Sequence, residues 1–155
     1  MGTGAGQFTR PRKKSMALIY LLDTNILSEL EKQKPNSHVE QKVASNMRQC
    51  AVASISWHEL WYGYHRLMPS KRQRLLKKFL EETVRKLIVL PYTDEAAEWH
   101  AKERSRLSQV GRTPAFIDGQ IAAVAAVNNL TLVTRNVKDF ADFQGIEIEN
   151  WFEEI

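Results

Sequence analysis

Short apolar runs of strand length alternate along this chain with segments whose apolar residues recur at helical spacing, and that alternation constrains the fold more than any other feature. The strand-like runs are residues 17–22, 50–53, 87–90, 130–134 and 146–149. Helical segments lie between them, which is the pattern of βαβ units. The predicted fold is therefore α/β, with a central, mainly parallel sheet of four to five strands flanked by helices on both faces.

At 155 residues the chain suits one domain that buries roughly two-thirds of the surface it would expose unfolded. The longest apolar runs, 17–22 and 121–127, fall far short of the roughly 20 residues that span a bilayer, so no membrane span is expected. A single Cys50 has no partner for an internal disulfide or a structural zinc site, which points to a reducing, cytoplasmic setting. The net charge of +4 is concentrated at one end. Arg10, Arg12, Lys13 and Lys14 all stand before residue 16, and the rest of the chain balances 18 basic against 18 acidic residues. Residues 1–15 read as a disordered basic arm or an artificial extension, which leaves 16–155 as the folded domain. Any nucleic-acid footprint is then a local patch on a neutral body.

Within that domain, a turn at Asp23, Thr24 and Asn25 leads to a short helix over 26–32, broken at Pro35 and Asn36. A second helix covers 37–48. Ser54 and Ser56 offer N-caps for a third, in which Trp57, Leu60, Trp61 and Tyr64 form one apolar stripe at helical spacing. A fourth, opened by Pro69 and Ser70, turns Leu75, Leu76, Phe79, Leu80 and Val84 inward and carries Lys71, Arg72, Arg74, Lys77 and Lys78 outside. Thr93, Asp94 and Glu95 read as the cap and acidic first turn of a helix ending at Gly111. Pro114 opens an almost wholly apolar helix, expected to pack deep against the sheet, and Asn136 caps a short turn ending at Phe140.

The crevice of an open parallel sheet lies beyond the carboxyl ends of its strands. Asp23 follows the first strand, Glu59 sits early in the helix leaving the second, and Asp139 follows the fourth. Asp118 opens the helix feeding the fourth strand; a crossover helix runs antiparallel to its strand, so this acid joins the same rim. Each acid also has an ordinary explanation. Ser56 with Glu59 fits a capping box, Asn136 with Asp139 imitates one, Asp118 complements a helix dipole, and Asp23 can cap its own turn. Capping alone does not require acids beside Leu22, Ile117 and Ile121, where like charges repel unless something positive sits among them. Asp94 is the contrast, since its position admits it and capping accounts for it. A divalent cation resolves the repulsion. All-oxygen donors select a hard ion such as Mg²⁺ or Mn²⁺, which takes one or two carboxylates, keeps waters and accepts phosphate oxygens, as phosphodiester hydrolysis requires.

The strings LLDTNILSEL (21–30), SISWHEL (54–60), FIDGQIAAVA (116–125) and LVTRNVKDF (132–140) resemble the PIN domain, and within it the VapC toxins of prokaryotic toxin–antitoxin pairs, over essentially 16–155. The resemblance implies a Mg²⁺- or Mn²⁺-dependent endoribonuclease cutting single-stranded RNA, with tRNA or ribosomal RNA as the expected substrate. Asp23, Glu59, Asp118 and Asp139 would form its catalytic, metal-holding quartet, supported through hydrogen bonds by Asn25 and Thr134. It further implies that strands two and four flank strand one, leaving Asp94 outside, and that the protein is a homodimer masked by a cognate VapB-like antitoxin. Arg135 is a candidate for the RNA backbone, as are Lys71, Arg72, Arg74, Lys77 and Lys78, which read also as a solvated helix face.

Competing chemistries lack their residues. His58 and His65 are too far apart for the H-E-x-x-H of a zinc protease, and structural roles suit them better. Asn25 stands where haloacid-dehalogenase-like phosphatases need a second Asp, and Glu149 and Asn150 stand where receiver domains need a Lys. A catalytically silent PIN fold that serves as an antitoxin's binding partner is the alternative from another class.

Overall fold

The computed structural model describes residues 17–153, so the arm expected over 1–15 lies outside the described residues. Five strands, β1 (Tyr20–Leu22), β2 (Cys50–Ala53), β3 (Ile88–Leu90), β4 (Thr131–Val133) and β5 (Ile148–Glu149), form one parallel sheet in the order β3-β2-β1-β4-β5. The strands two and four expected beside strand one are there. Alternation along each strand divides the interior between two faces. Leu22, Val52 and Val133 join a core built with helices α1 (Thr24–Glu31), α2 (Ser37–Asn46), α3 (Ser54–His65) and α4 (Lys71–Glu82). Leu21, Ala51 and Leu132 face the opposite way, into a core shared with α5 (Asp94–Gln109), α6 (Phe116–Val127) and α7 (Val137–Phe140).

Small side chains decide how closely α6 lies. Ala122, Ala123 and Ala125 are fully buried, as the uniformly apolar stretch predicts. Gly119 has no Cβ, and one placed there would overlap the ring of His100 on α5. His100 is itself buried, with Nδ1 at 3.2 Å from the Tyr92 hydroxyl and Nε2 without a hydrogen-bond partner among the described residues. Because burial disfavours the imidazolium and Arg104 repels it, its pKa is held below the usual value.

Several local expectations are corrected. Neither Ser54 nor Ser56 caps α3: Ala53 holds the N-cap position without a side-chain bond, and Ser56 is buried with its hydroxyl unpaired among the described residues. Asn136 precedes α7 but makes no side-chain cap, and the helix expected to open at Pro114 begins at Phe116. Ser70 and Thr93 do cap, accepting from the backbone N–H of Gln73 at 3.1 Å and of Ala96 at 3.2 Å. Leu75, expected inside, is 54% exposed, because α4 packs through Leu76, Phe79 and Leu80 only. In the stripe of α3, Leu60 is buried while Trp57, Trp61 and Tyr64 are half-buried; His58 and His65 lie on the surface.

Candidate active site

The register that pairs Leu22 with Val133 continues one residue beyond the strands, where Asp23 N–H donates to the Val133 carbonyl at 2.9 Å. Asp23 and Thr134 therefore stand side by side at the middle of the sheet's carboxyl edge. The Thr134 hydroxyl donates to Asp23 Oδ2 at 2.8 Å, Asn25 Nδ2 donates to the same oxygen at 3.2 Å, and the Thr24 N–H donates to Oδ1 at 2.8 Å. Asp23 is buried and N-caps α1. Three residues thus hold one carboxylate in a single orientation.

Glu59 reaches the same place from α3. Its Oε2 accepts from the Thr24 hydroxyl at 3.1 Å, so the bond that a capping box would have made with Ser56 is replaced by a contact between α1 and α3. Asp118 sits in the first turn of α6. Asp23, Glu59 and Asp118 line one cleft of about 450 Å³, together with Asn25 and Arg135. Asp118 is also a wall of an adjoining cleft of about 500 Å³, in which Asp139 lies. The structure thus brings three of the four acids to one cleft and the fourth to its neighbour, with Asp118 between them.

Burial, with crowding of like charge added to it, governs the electrostatics. Burial raises Asp118, and repulsion from Asp139, Asp23 and Glu59 adds to it, so that its pKa is pushed up to about 6. Asp23 is raised as well; burial outweighs its hydrogen bonds to Thr134, Thr24 and Asn25, and the charge of Asp139 contributes. None of the four acids has an ion pair with Lys or Arg among the described residues. Nor do three acidic, His or Cys side chains converge there into a preformed cage. This donor set fits a hard divalent ion that binds through one or two carboxylates and retains waters, and it does not fit a dehydrated ion enclosed by protein.

The remaining candidates divide. Asn25 and Thr134 are bonded to Asp23, and Arg135 is exposed at the cleft with its N–H donating to Asn25 Oδ1 at 3.2 Å. The basic helix is elsewhere. Lys71 and Arg72 flank a separate groove beside Leu75 and Phe79, whereas Arg74, Lys77 and Lys78 are exposed on α4 and do not line the acidic cleft. Lys32 lines both the groove and the cleft. Sequence reasoning passed over Thr24, Lys32 and Phe152 as site residues. Thr24 stood inside the D-T-N string and was available; the other two carry no local signal.

A doubly wound α/β protein with an acidic, cation-attracting rim is the class that this fold and site define. The chain belongs to the PIN domain family, which matches it over residues 20–146, and that family's nucleases depend on a divalent metal. It is 31% identical to the tRNA(fMet)-specific endonuclease VapC of Salmonella typhimurium over 135 residues, covering 86% of this chain and 98% of that protein. It is 32% identical to toxin FitB of Neisseria gonorrhoeae over 124 residues, 77% of this chain and 89% of that one. Among solved structures, the fold is similar to FitAcB from N. gonorrhoeae (TM-score 0.80, 29% identity, 88% of this chain and 100% of that chain). It is also similar to DNA-bound VapBC from S. typhimurium (TM-score 0.77, 30% identity, 86% and 98%).

Proposed function

We propose that this protein is the toxin of a type II toxin–antitoxin pair, a Mg²⁺- or Mn²⁺-dependent endoribonuclease restrained by a VapB-like antitoxin. The observation that carries the reading is four carboxylates in two adjoining clefts at one sheet edge, with no basic side chain paired to any of them among the described residues. Such a rim is disfavoured on its own and becomes favourable with a cation.

Asp23, Asp118 and Asp139 would hold the ion, and Glu59 would complete the site or accept a proton from the attacking water. When bound, the ion supplies Lewis acidity and countercharge at the scissile phosphate. Thr134, Asn25 and the Thr24 N–H keep the Asp23 carboxylate aimed, and the Thr24 hydroxyl does the same for Glu59. Water attacks phosphorus, the bond to the 3′ oxygen breaks, and the products carry a 5′-phosphate and a 3′-hydroxyl. The substrate class is tRNA or ribosomal RNA; the VapC of S. typhimurium is named as a tRNA(fMet)-specific endonuclease, and such a substrate places the enzyme in the cytoplasm. Exposed Phe116 and Ile117 at the head of α6 offer apolar surface to a second copy, which supports a homodimer. The groove with Leu75 and Phe79 along it and Lys71 and Arg72 at its rim suits an antitoxin segment that combines apolar and acidic residues. Residues 16–155 would constitute this functional domain.

The test is cleavage of total cellular RNA by antitoxin-free protein in Mg²⁺ or Mn²⁺, beside EDTA and Asp118→Ala. Discrete fragments lost in both controls are expected. Folded protein that cuts neither tRNA nor ribosomal RNA would instead make it a silent binding module.

A further inference from the structure

One feature of the cleft lies outside the carboxylate chemistry. Arg135 stands among acids yet makes no ion pair among the described residues; its guanidinium carbon lies 4.6 Å from the centroid of the Phe152 ring. Glu29, an acid of the same cleft on which the charge of Arg135 acts, is taken by Lys32 at 2.7 Å. Both Arg135 and Phe152 line the cleft that contains Asp23, Glu59 and Asp118. Each is anchored from behind. The Arg135 N–H is bonded to Asn25, the residue that also bonds Asp23, so the base of this side chain is tied to the acidic site itself. Phe152 follows the buried Trp151, whose carbonyl lies 2.7 Å from His38 Nδ1 and whose ring packs edge-on to Tyr20 at 4.9 Å. The Phe152 N–H donates to Asn150 Oδ1 at 3.0 Å, which closes the turn that presents the ring.

From this geometry we infer that Arg135 and Phe152 form a composite platform for one unpaired nucleobase beside the scissile phosphate. The inference rests on the nuclease reading and adds to it a subsite and a substrate feature, an unstacked base. A guanidinium reserved for phosphate needs only its charge, and the ring beside it adds nothing to that task. A guanidinium held against an aromatic ring presents a polarisable surface on which a splayed base stacks, the mode by which single-stranded RNA is generally read. Phe152, packed against the core as well, acts as the positioning residue for Arg135. Duplex RNA offers no such base, so the platform selects single-stranded segments.

The experiment measures binding apart from cleavage. In an Asp118→Asn background with Mg²⁺, the anisotropy of a short fluorescein-labelled single-stranded RNA of mixed sequence reports affinity, and the same RNA is prepared with an abasic ribose at each position in turn. Arg135→Lys, which keeps the charge, and Phe152→Leu, which keeps the apolar packing, should each weaken binding about tenfold, with no further loss in the double variant. One abasic position should reproduce that loss in the parent protein and cost the variants nothing. Full affinity in Arg135→Lys would make Arg135 a phosphate clamp and overturn the platform, as would indifference to every abasic position; either result leaves the nuclease standing. Protein with Asp118 intact that cuts no RNA, together with absent binding in the parent, would remove both. Arg135→Lys is a surface change, so the test does not depend on Phe152→Leu folding.

Discussion

Two junctions of this molecule are built from nearly the same residues and do different things. At the end of β1, Asp23 and Thr24 begin α1; at the end of β3, Thr93 and Asp94 begin α5. Each junction has an acid and a threonine at a helix start, and each uses one of them as N-cap: Asp23 accepts from Thr24 N–H, and Thr93 accepts from Ala96 N–H. The partners differ. Because β1 is central, Asp23 has β4 and α3 as neighbours, and Thr134 and Thr24 couple it to Glu59 and the rest of the rim. Because β3 is the sheet's edge, Asp94 is exposed. Strand order, which no window of sequence contains, separates a site from a cap.

The comparison breaks most visibly if the two acids behave alike. Asp23→Ala should lower RNA cleavage by more than about a hundredfold, the scale of losing a preorganised charged group, while Asp94→Ala should leave the rate unchanged. A parallel assay of both variants on the same RNA decides it; equal losses would mean that the rim extends to β3. Smaller is the effect of the residue behind Asp23. Thr134→Val keeps the shape, removes the 2.8 Å donor, and should raise the metal concentration for half-maximal cleavage about tenfold, as measured by a Mg²⁺ titration.

The caps give the converse test. Thr93→Ala should cost about 1 kcal/mol of stability in urea unfolding and nothing in cleavage, since its side chain serves the helix alone. The last effect concerns charge. Burial and three carboxylate neighbours raise Asp118 from 3.8 to about 6, so its protonated form favours the fold. That contribution is fully present below about pH 4 and is lost as pH rises through about 6. Without metal at pH 7, Asp118→Asn should therefore be more stable than the parent by about 1 kcal/mol after solvent screening, the gap closing toward pH 4. Added Mg²⁺ should raise the parent's melting temperature more than the variant's. A gap that widens on acidification would show that Asp118 is stabilised as a carboxylate by the protein alone.

Much of this was legible in the residues. The five apolar runs fell where the strands are, with β2 matched to the residue, and Asp23, Asn25, Thr134 and the other three acids stood out by position and motif. What misled was local polarity. Ser56 and Asn136 look like caps, yet the chain enters α3 and α7 without using either side chain. Leu75 keeps helical spacing with the core but is exposed, because helical spacing marks an apolar face without specifying which part of it meets the sheet. Lys71 and Arg72 look like an RNA patch but flank a separate groove.

The sequence by itself determined the layered α/β plan, since period-2 and helical patterns are local properties of a chain that must bury its apolar face. It also determined which carboxylates lie at strand ends. The tertiary structure alone decided that Thr24 bonds Glu59 across 35 positions, that Thr134 reaches Asp23 across 111, and that Phe152 meets Arg135. Those pairings depend on register and strand order, which arise from the packing of the whole domain, where the close fit of His100 against Gly119 also helps to set the position of α6 and with it Asp118.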